Sequence, residues 1–263
     1  MNTSTTSADF SEFYVVAREM GAENPSLPTW GNHDLNPVNL REDYPSESIV
    51  RQEVEQVPGA YQLLNVLSAD ECARLRALTE TLGYLPDAAV SLPRSVRHND
   101  NVVWITDEKT DSLIWQRVAA LANQHLQIFD HKKALGLNAR FRFYRYGVGD
   151  FFKPHSDGAW PGSRIINGEL LADAYPDRYS QMSFLIFLNE DFEGGATRFL
   201  VNGDNPAQPA RQGRPVKAVD VRTPAGGVLC FPHGMHPLHC IHSSEPIERG
   251  VKYIIRTDML FEL

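Results

Sequence analysis

From Gly136 to the C-terminus the chain reads as a succession of short strands, and that succession limits the fold more than any other feature. ARFRFYRY (139–146) alternates, and SQMSFLIFLN (180–189) is an apolar β run. ATRFLV (196–201), AVDVRTP (218–224), GGVLCFP (226–232) and VKYIIRTDMLF (251–261) follow, punctuated by Gly, Pro, Asn and Asp. Such spacing belongs to an all-β sandwich or barrel. Upstream, AYQLLNVL (60–67) reads as a strand and SADECARLRALTETLGY (68–84) as an amphipathic helix. Leu75, Leu78 and Leu82 recur at helical spacing, Ser68 with Glu71 forms a capping box, and Gly83 marks the stop. DEKTDSLIWQRVAALANQHL (107–126) is a second helix, with Leu113, Val118, Leu121 and Leu126 among its polar positions. Helices first and strands afterwards predict a mainly β, α+β fold: a jelly-roll barrel with helices packed on one outer face.

Residues 1–55 are polar and broken by Pro25, Pro28, Pro37 and Pro45, and only SEFYVVAREM (11–20) hints at a short helix. We expect an N-terminal extension that wraps the domain or is partly disordered, then one domain over 56–263 with its jelly-roll core at about 138–263. Two long loops, 158–179 and 201–217, interrupt the strands and have the length of lids or binding loops.

Composition narrows the function classes. Hydrophobic residues make up 42% and charged residues 22% of 263, as in ordinary globular proteins. A net charge of −8 repels phosphates, so a nucleic-acid partner would need a local basic groove, and none is expected. No apolar run approaches the roughly 20 residues that span a bilayer, so no membrane partner is expected either. MNTSTTSADF lacks the basic and apolar regions of a secretory signal, and Cys72, Cys230 and Cys240 lack CxxC spacing. Both point to a cytoplasmic protein with reduced thiols.

His155 and Asp157 sit two residues apart in FKPHSDG, directly after the aromatic-rich YGVGDFFKP. Residues i and i+2 of an extended segment point to the same side, so both can converge on one divalent ion. The third ligand has several candidates, because His233, His236, His239 and His242 recur every third residue in FPHGMHPLHCIH. A solvated polar turn, a separate zinc site and a single functional His are the available readings. Pro232 and Pro237 break any helix that would align four rings, which favours the single His. Two His and one carboxylate with vacant positions is the pattern of non-haem Fe(II) oxygenases.

HSD, EDFEGGATRF, PAGGVLCF and HSSEPIERGVKYIIRTD together resemble the catalytic core of the prolyl 4-hydroxylase-like branch of Fe(II)- and 2-oxoglutarate-dependent dioxygenases, over roughly residues 138–263. That family's pattern is HxD, a distal His, and a Lys ten positions later; His242 and Lys252 have that spacing and the other three His do not. The resemblance implies a double-stranded β-helix with His155, Asp157 and His242 as catalytic iron ligands. It implies Lys252, Tyr146 and Thr197 around the distal carboxylate of 2-oxoglutarate, with Arg256, on the same strand face as Lys252, replacing or assisting it. Arg142, on the face of Tyr146, is expected in the same cavity, where it meets a substrate carboxylate or an internal acidic partner. Arg97, Asn99 and Trp160 are expected on the substrate side, although Trp160 fits ordinary lid packing equally.

The implied chemistry needs Fe(2+), 2-oxoglutarate and O2, with ascorbate an optional reductant, and yields succinate, CO2 and a hydroxylated C–H bond. The expected substrate is a small molecule: an amino acid, a derivative of one or a natural-product intermediate. Peptidyl-proline hydroxylation, a non-catalytic metal-binding jelly roll and a zinc hydrolase are the competing readings.

Overall fold

The computed structural model describes residues 12–89 and 92–263. Most of its strands form two facing sheets, beside two two-stranded ones. In the larger the order is Phe13–Glu19, Leu27–Asn32, Asp100–Ile105, Arg140–Tyr146, Lys252–Glu262, Arg178–Phe187, Val228–Pro232, Tyr61–Leu64 and Val50–Glu53. Ala134–Leu137 also pairs with Lys252–Glu262. In the smaller sheet the order is Val216–Val221, Thr197–Asn202, Ile241–Ser244, Phe151–His155 and Arg97–His98. Following the chain from Arg140, successive strands pass from one sheet to the other, with Thr197–Asn202 and Val216–Val221 adjacent in the smaller one. All pairings among these strands are antiparallel. This is a jelly roll, as the strand spacing predicts.

The period of two sorts each strand between two apolar layers. Phe141 and Phe143 turn outward against Leu75, Leu78, Ile114 and Val118 of the helices Ala69–Leu82 and Glu108–Ala122. Tyr144 and Tyr146 turn inward, where Leu185, Phe187, Phe231 and Ile254 meet Phe152 and Phe199 of the other sheet. In Lys252–Glu262 the residues Ile255, Met259 and Phe261 join the helix side. Lys252, Ile254, Arg256 and Asp258, two apart, share the inner face. Polar residues on that inner face are the raw material of the site.

Ser68 caps the first helix as expected, accepting from the Glu71 N–H, while Glu71 accepts from the Ser68 N–H. Three sequence expectations need correction. First, Phe13–Glu19 is an edge strand paired with Leu27–Asn32, not a short helix; Ser11 lies outside the described residues. Its Phe, Tyr and two Val suit a pleated surface, and the neighbouring strand supplies the ladder. Second, the helix from residue 108 ends at Ala122, not Leu126. The Asn123 side chain exchanges hydrogen bonds with the Ala134 backbone and draws the chain out of the helix. Third, 158–179 is not a plain loop. Arg164–Ile166 and Glu169–Leu171 form a hairpin whose turn residues Asn167 (φ 52°) and Gly168 (φ 81°) are both left-handed, the geometry an Asn-Gly pair supplies. Likewise the two strands flanking 201–217 extend into it, leaving 203–215 as the connection. Among the described residues no helix is long and apolar enough to cross a membrane.

Candidate metal centre

His155 ends the strand Phe151–His155, and the antiparallel register with Ile241–Ser244 sets His242 directly opposite it. Asp157 follows two residues later, and one ligand atom from each of the three lies within 4.8 Å of the others. Asp157 Oδ1 is 3.8 Å from His155 Nε2, and its Oδ2 is 3.8 Å from His242 Nε2. Both rings are oriented from behind. His155 Nδ1 is 2.7 Å from the Lys153 carbonyl and His242 Nδ1 3.3 Å from that of Cys240. A carbonyl only accepts, so each Nδ1 carries the proton and each Nε2 lone pair faces the centre. Phe152 stacks on His155 with ring centroids 3.6 Å apart, and Phe231 lies 4.5 Å from His242.

The electrostatics suit a divalent cation. Burial, then the neighbouring His155, pulls His242 down to about 3; burial also lowers His155. Burial pushes the Asp157 carboxyl up, but Arg256, His242 and His155 outweigh it and hold it well below the usual carboxylate range. Near neutral pH this is one carboxylate and two neutral imidazoles with lone pairs converging from one side. That donor set fits Fe(2+), and three protein ligands leave positions free.

The open side faces a cavity lined by Tyr144, Tyr146, Leu185, Thr197, Lys252 and Arg256. Lys252 is 1% exposed. Its Nζ donates to the Gly195 carbonyl at 2.7 Å and to Ser244 Oγ at 3.1 Å, above the rings of Tyr146 and Phe187. Tyr146 lies opposite Lys252 in register, and Thr197 opposite Ser244. Burial, then Arg222, lowers the Lys252 ammonium to about 7, and among the described residues no carboxylate offsets this. Arg256 is placed differently. Its Nε is 3.4 Å from Asp157 Oδ2 and its Nη2 3.0 Å from Asp258 Oδ1, so it braces the metal-site carboxylate.

Arg142 is buried on the next row, 4.0 Å from Asp258 Oδ2, at the outer limit of an ion pair. Trp160 is 42% exposed and lines a second cavity with Arg142. Arg97 is buried over the rings of Tyr144 and Phe152. Asn99 is buried, donating to the Asp100 carbonyl, and its Oδ1 has no hydrogen-bond partner among the described residues. Of the four spaced histidines, His242 alone joins the cluster: His236 bonds the Ile128 carbonyl and His239 the His236 carbonyl.

His233 has a part that sequence reasoning missed. Ser183 Oγ donates to Asp157 Oδ2 at 2.6 Å and so accepts from His233 Nδ1 at 2.8 Å. His233 Nε2 then accepts from Ser180 Oγ at 3.1 Å, and Ser180 accepts the Trp160 N–H at 2.7 Å. One directed chain thus links the loop after the HxD pair to the Asp157 carboxylate. In the sequence the two serines, three apart, read as facing opposite sides of a strand; the register shift between Ser180 and Met182 brings both to His233.

Residues 141–257 match the family model of the 2OG-Fe(II) oxygenase superfamily. Among solved structures, the chain is similar to a prolyl hydroxylase from Trichoplax adhaerens in complex with a hypoxia inducible factor oxygen degradation domain peptide fragment. Identity is 15%, coverage 78% of this chain and 84% of that one, and the TM-score 0.52. A Pseudomonas putida prolyl-4-hydroxylase matches at 20% identity over 77% of this chain and 92% of that one, with a TM-score of 0.47. No curated protein matches the sequence.

Proposed function

We propose that this chain, which belongs to the 2OG-Fe(II) oxygenase superfamily, hydroxylates an unactivated C–H bond of a small molecule such as an amino acid, a derivative of one or a natural-product intermediate. It is a 2-oxoglutarate-dependent non-haem iron dioxygenase, with O2 as the second co-substrate. Bound iron supplies, with 2-oxoglutarate and O2, the oxidative decarboxylation to succinate and CO2 and the oxidation of the C–H bond.

In this reading His155, Asp157 and His242 hold the metal by one face. Lys252 pairs with the distal carboxylate of 2-oxoglutarate, with Tyr146 and Thr197 beside it. Arg256 and Ser183 fix the Asp157 carboxylate, and Phe152 and Phe231 keep the imidazoles in place and water away from them. The observation that carries it is the pairing of two features in one cavity: a three-ligand cluster, and a buried ammonium with no carboxylate among the described residues to neutralise it. A buried charge needs a partner, and a dianionic acid bound to the metal provides one.

The small-molecule reading is supported by the 158–179 insertion, whose Trp160, Pro161, Ser163 and Ala172 line a second cavity with Arg142 and whose Arg164 is tied to Asp111 at 2.7 Å. Incubating iron-loaded enzyme with a free amino-acid panel and with proline-rich peptides, following succinate, tests it. We expect substrate-stimulated succinate from the amino-acid panel. Stimulation by peptides alone would overturn this reading in favour of peptidyl-proline hydroxylation.

A further inference from the structure

Beside the metal-side cavity lies a second one, lined by Arg140, Arg142, Asn138, Trp160, Pro161 and Ala172 among others. The two adjoin along the barrel wall. Arg142 lies opposite Arg256 in register, and Arg256 and Tyr144 line the first cavity. The second cavity has a fastened rim. Asn138 donates to the Pro161 carbonyl at 3.3 Å and accepts from the Ser163 N–H at 3.0 Å, while Ser180 holds the Trp160 N–H.

The charges along this wall do not cancel once the metal site is filled. Glu19 is spent on Arg140, at 2.8 Å, and on the Thr29 hydroxyl. Asp258 lies between two guanidiniums, close to Arg256 and only at 4.0 Å from Arg142. Arg142 is 9% exposed, and its buried Nη1 has no hydrogen-bond partner among the described residues. Lys252, Arg142 and Arg256 stand with two carboxylates, Asp157 and Asp258, and a divalent metal and the 2-oxoglutarate dianion offset each other. Arg256 contacts both carboxylates and Arg142 has the looser contact, with Asp258. A guanidinium with a free edge is matched by a carboxylate, in a geometry that neutral groups do not reproduce. Beside it stand the apolar Trp160 ring, Pro161, Ala172 and Ala89, while Glu19, Asn138, Arg140 and Ser163 complete the lining.

We propose that this second cavity is the substrate subsite, taking a small monocarboxylate, such as a free apolar amino acid, with its carboxylate on Arg142 and its body against Trp160. The inference rests on the hydroxylase reading and narrows its substrate to molecules with a free carboxyl group.

Zinc-substituted protein saturated with 2-oxoglutarate does not turn over, so binding can be read directly by ligand-observed NMR. The probes are the twenty common L-amino acids, and then the primary amide of each one that binds. At least one apolar amino acid is expected to bind, its amide about ten- to a hundredfold more weakly, as loss of a charged hydrogen bond requires. Arg142→Gln removes the discrimination between acid and amide, and Trp160→Ala weakens leucine more than glycine. Equal binding of acid and amide to the wild type, or no amino acid bound, overturns the proposal. So does Arg142→Gln protein that still discriminates. Should Arg142→Gln fail to fold, the acid–amide comparison and Trp160→Ala decide alone. Failure of the wild type to bind 2-oxoglutarate would instead strike the underlying hydroxylase reading.

Discussion

Ser183 hands its hydroxyl hydrogen to Asp157, the oxygens 2.6 Å apart, from a strand in the opposite sheet to the one that carries His155. The contact fixes which oxygen of the carboxylate turns toward His155 and which is held from behind. With Arg256 on the same oxygen, Asp157 is oriented before any ligand arrives. Removing such an outer partner weakens a metal site about ten- to a hundredfold. Ser183→Ala is therefore expected to weaken divalent metal binding by about that factor, measured by titration of metal alone, with little change in the Tm of the metal-free protein. Unchanged metal affinity would show that Arg256 suffices.

Lys252 and Arg256 share a strand face, and their surroundings assign them different work. Among the described residues Lys252 meets only neutral acceptors, whereas Arg256 already touches two carboxylates. Lys252→Ala is expected to weaken 2-oxoglutarate binding by about 3 kcal/mol, about a hundredfold, while leaving metal affinity near wild type. Arg256→Ala should show the reverse, weakening the metal first. An unaltered 2-oxoglutarate requirement in Lys252→Ala would transfer the role to Arg256.

The same buried lysine predicts a pH effect. Burial lowers its folded value to about 7, below that of the unfolded chain, so between those values the unfolded chain binds more protons. The ligand-free protein thus gains stability as pH rises through that window. Binding the 2-oxoglutarate dianion restores the charge, so at about pH 8.5 it takes up nearly one proton and its apparent affinity falls as pH rises. Calorimetry in two buffers of different ionisation enthalpy measures this uptake. We expect it to vanish in Lys252→Met; its absence from the wild type would contradict the pairing.

Glu71 joins local and long-range structure. Besides completing the cap with Ser68, its carboxylate takes Arg117 at 2.8 Å and the Arg41 N–H at 2.9 Å, and it is fully buried. Glu71→Ala leaves Arg117 charged and buried, a loss of about 3–5 kcal/mol. Chemical denaturation measures it; a loss below about 1 kcal/mol, the value of the cap alone, would mean Arg117 finds another acceptor.

Much of this was legible from the sequence, for local reasons. The capping box and the strands after Gly136 are short-range patterns, and HxD, His242 and Lys252 are fixed spacings. What the sequence left out depends on pairing between distant segments. Phe13–Glu19 reads as a weak helix until Leu27–Asn32 offers it a ladder. Asn167–Gly168 is a hairpin signal in its own right, but the three-residue strands beside it are too short to stand out within the segment 158–179. Ser183 and His233 gain their meaning only because strand register sets them beside Asp157. Arg142 was expected to face inward, but how weakly Asp258 would meet it is a matter of a few ångströms that no pattern encodes.

The central claim is that His155, Asp157 and His242 grip ferrous iron by one face, leaving the other for 2-oxoglutarate. Anaerobic addition of 2-oxoglutarate to the Fe(II)-loaded protein tests it most directly. A new visible charge-transfer absorption should appear in the wild type and be absent from Asp157→Ala and His242→Ala. Folded, iron-loaded wild type that develops no such absorption, or variants that develop it undiminished, would contradict the account.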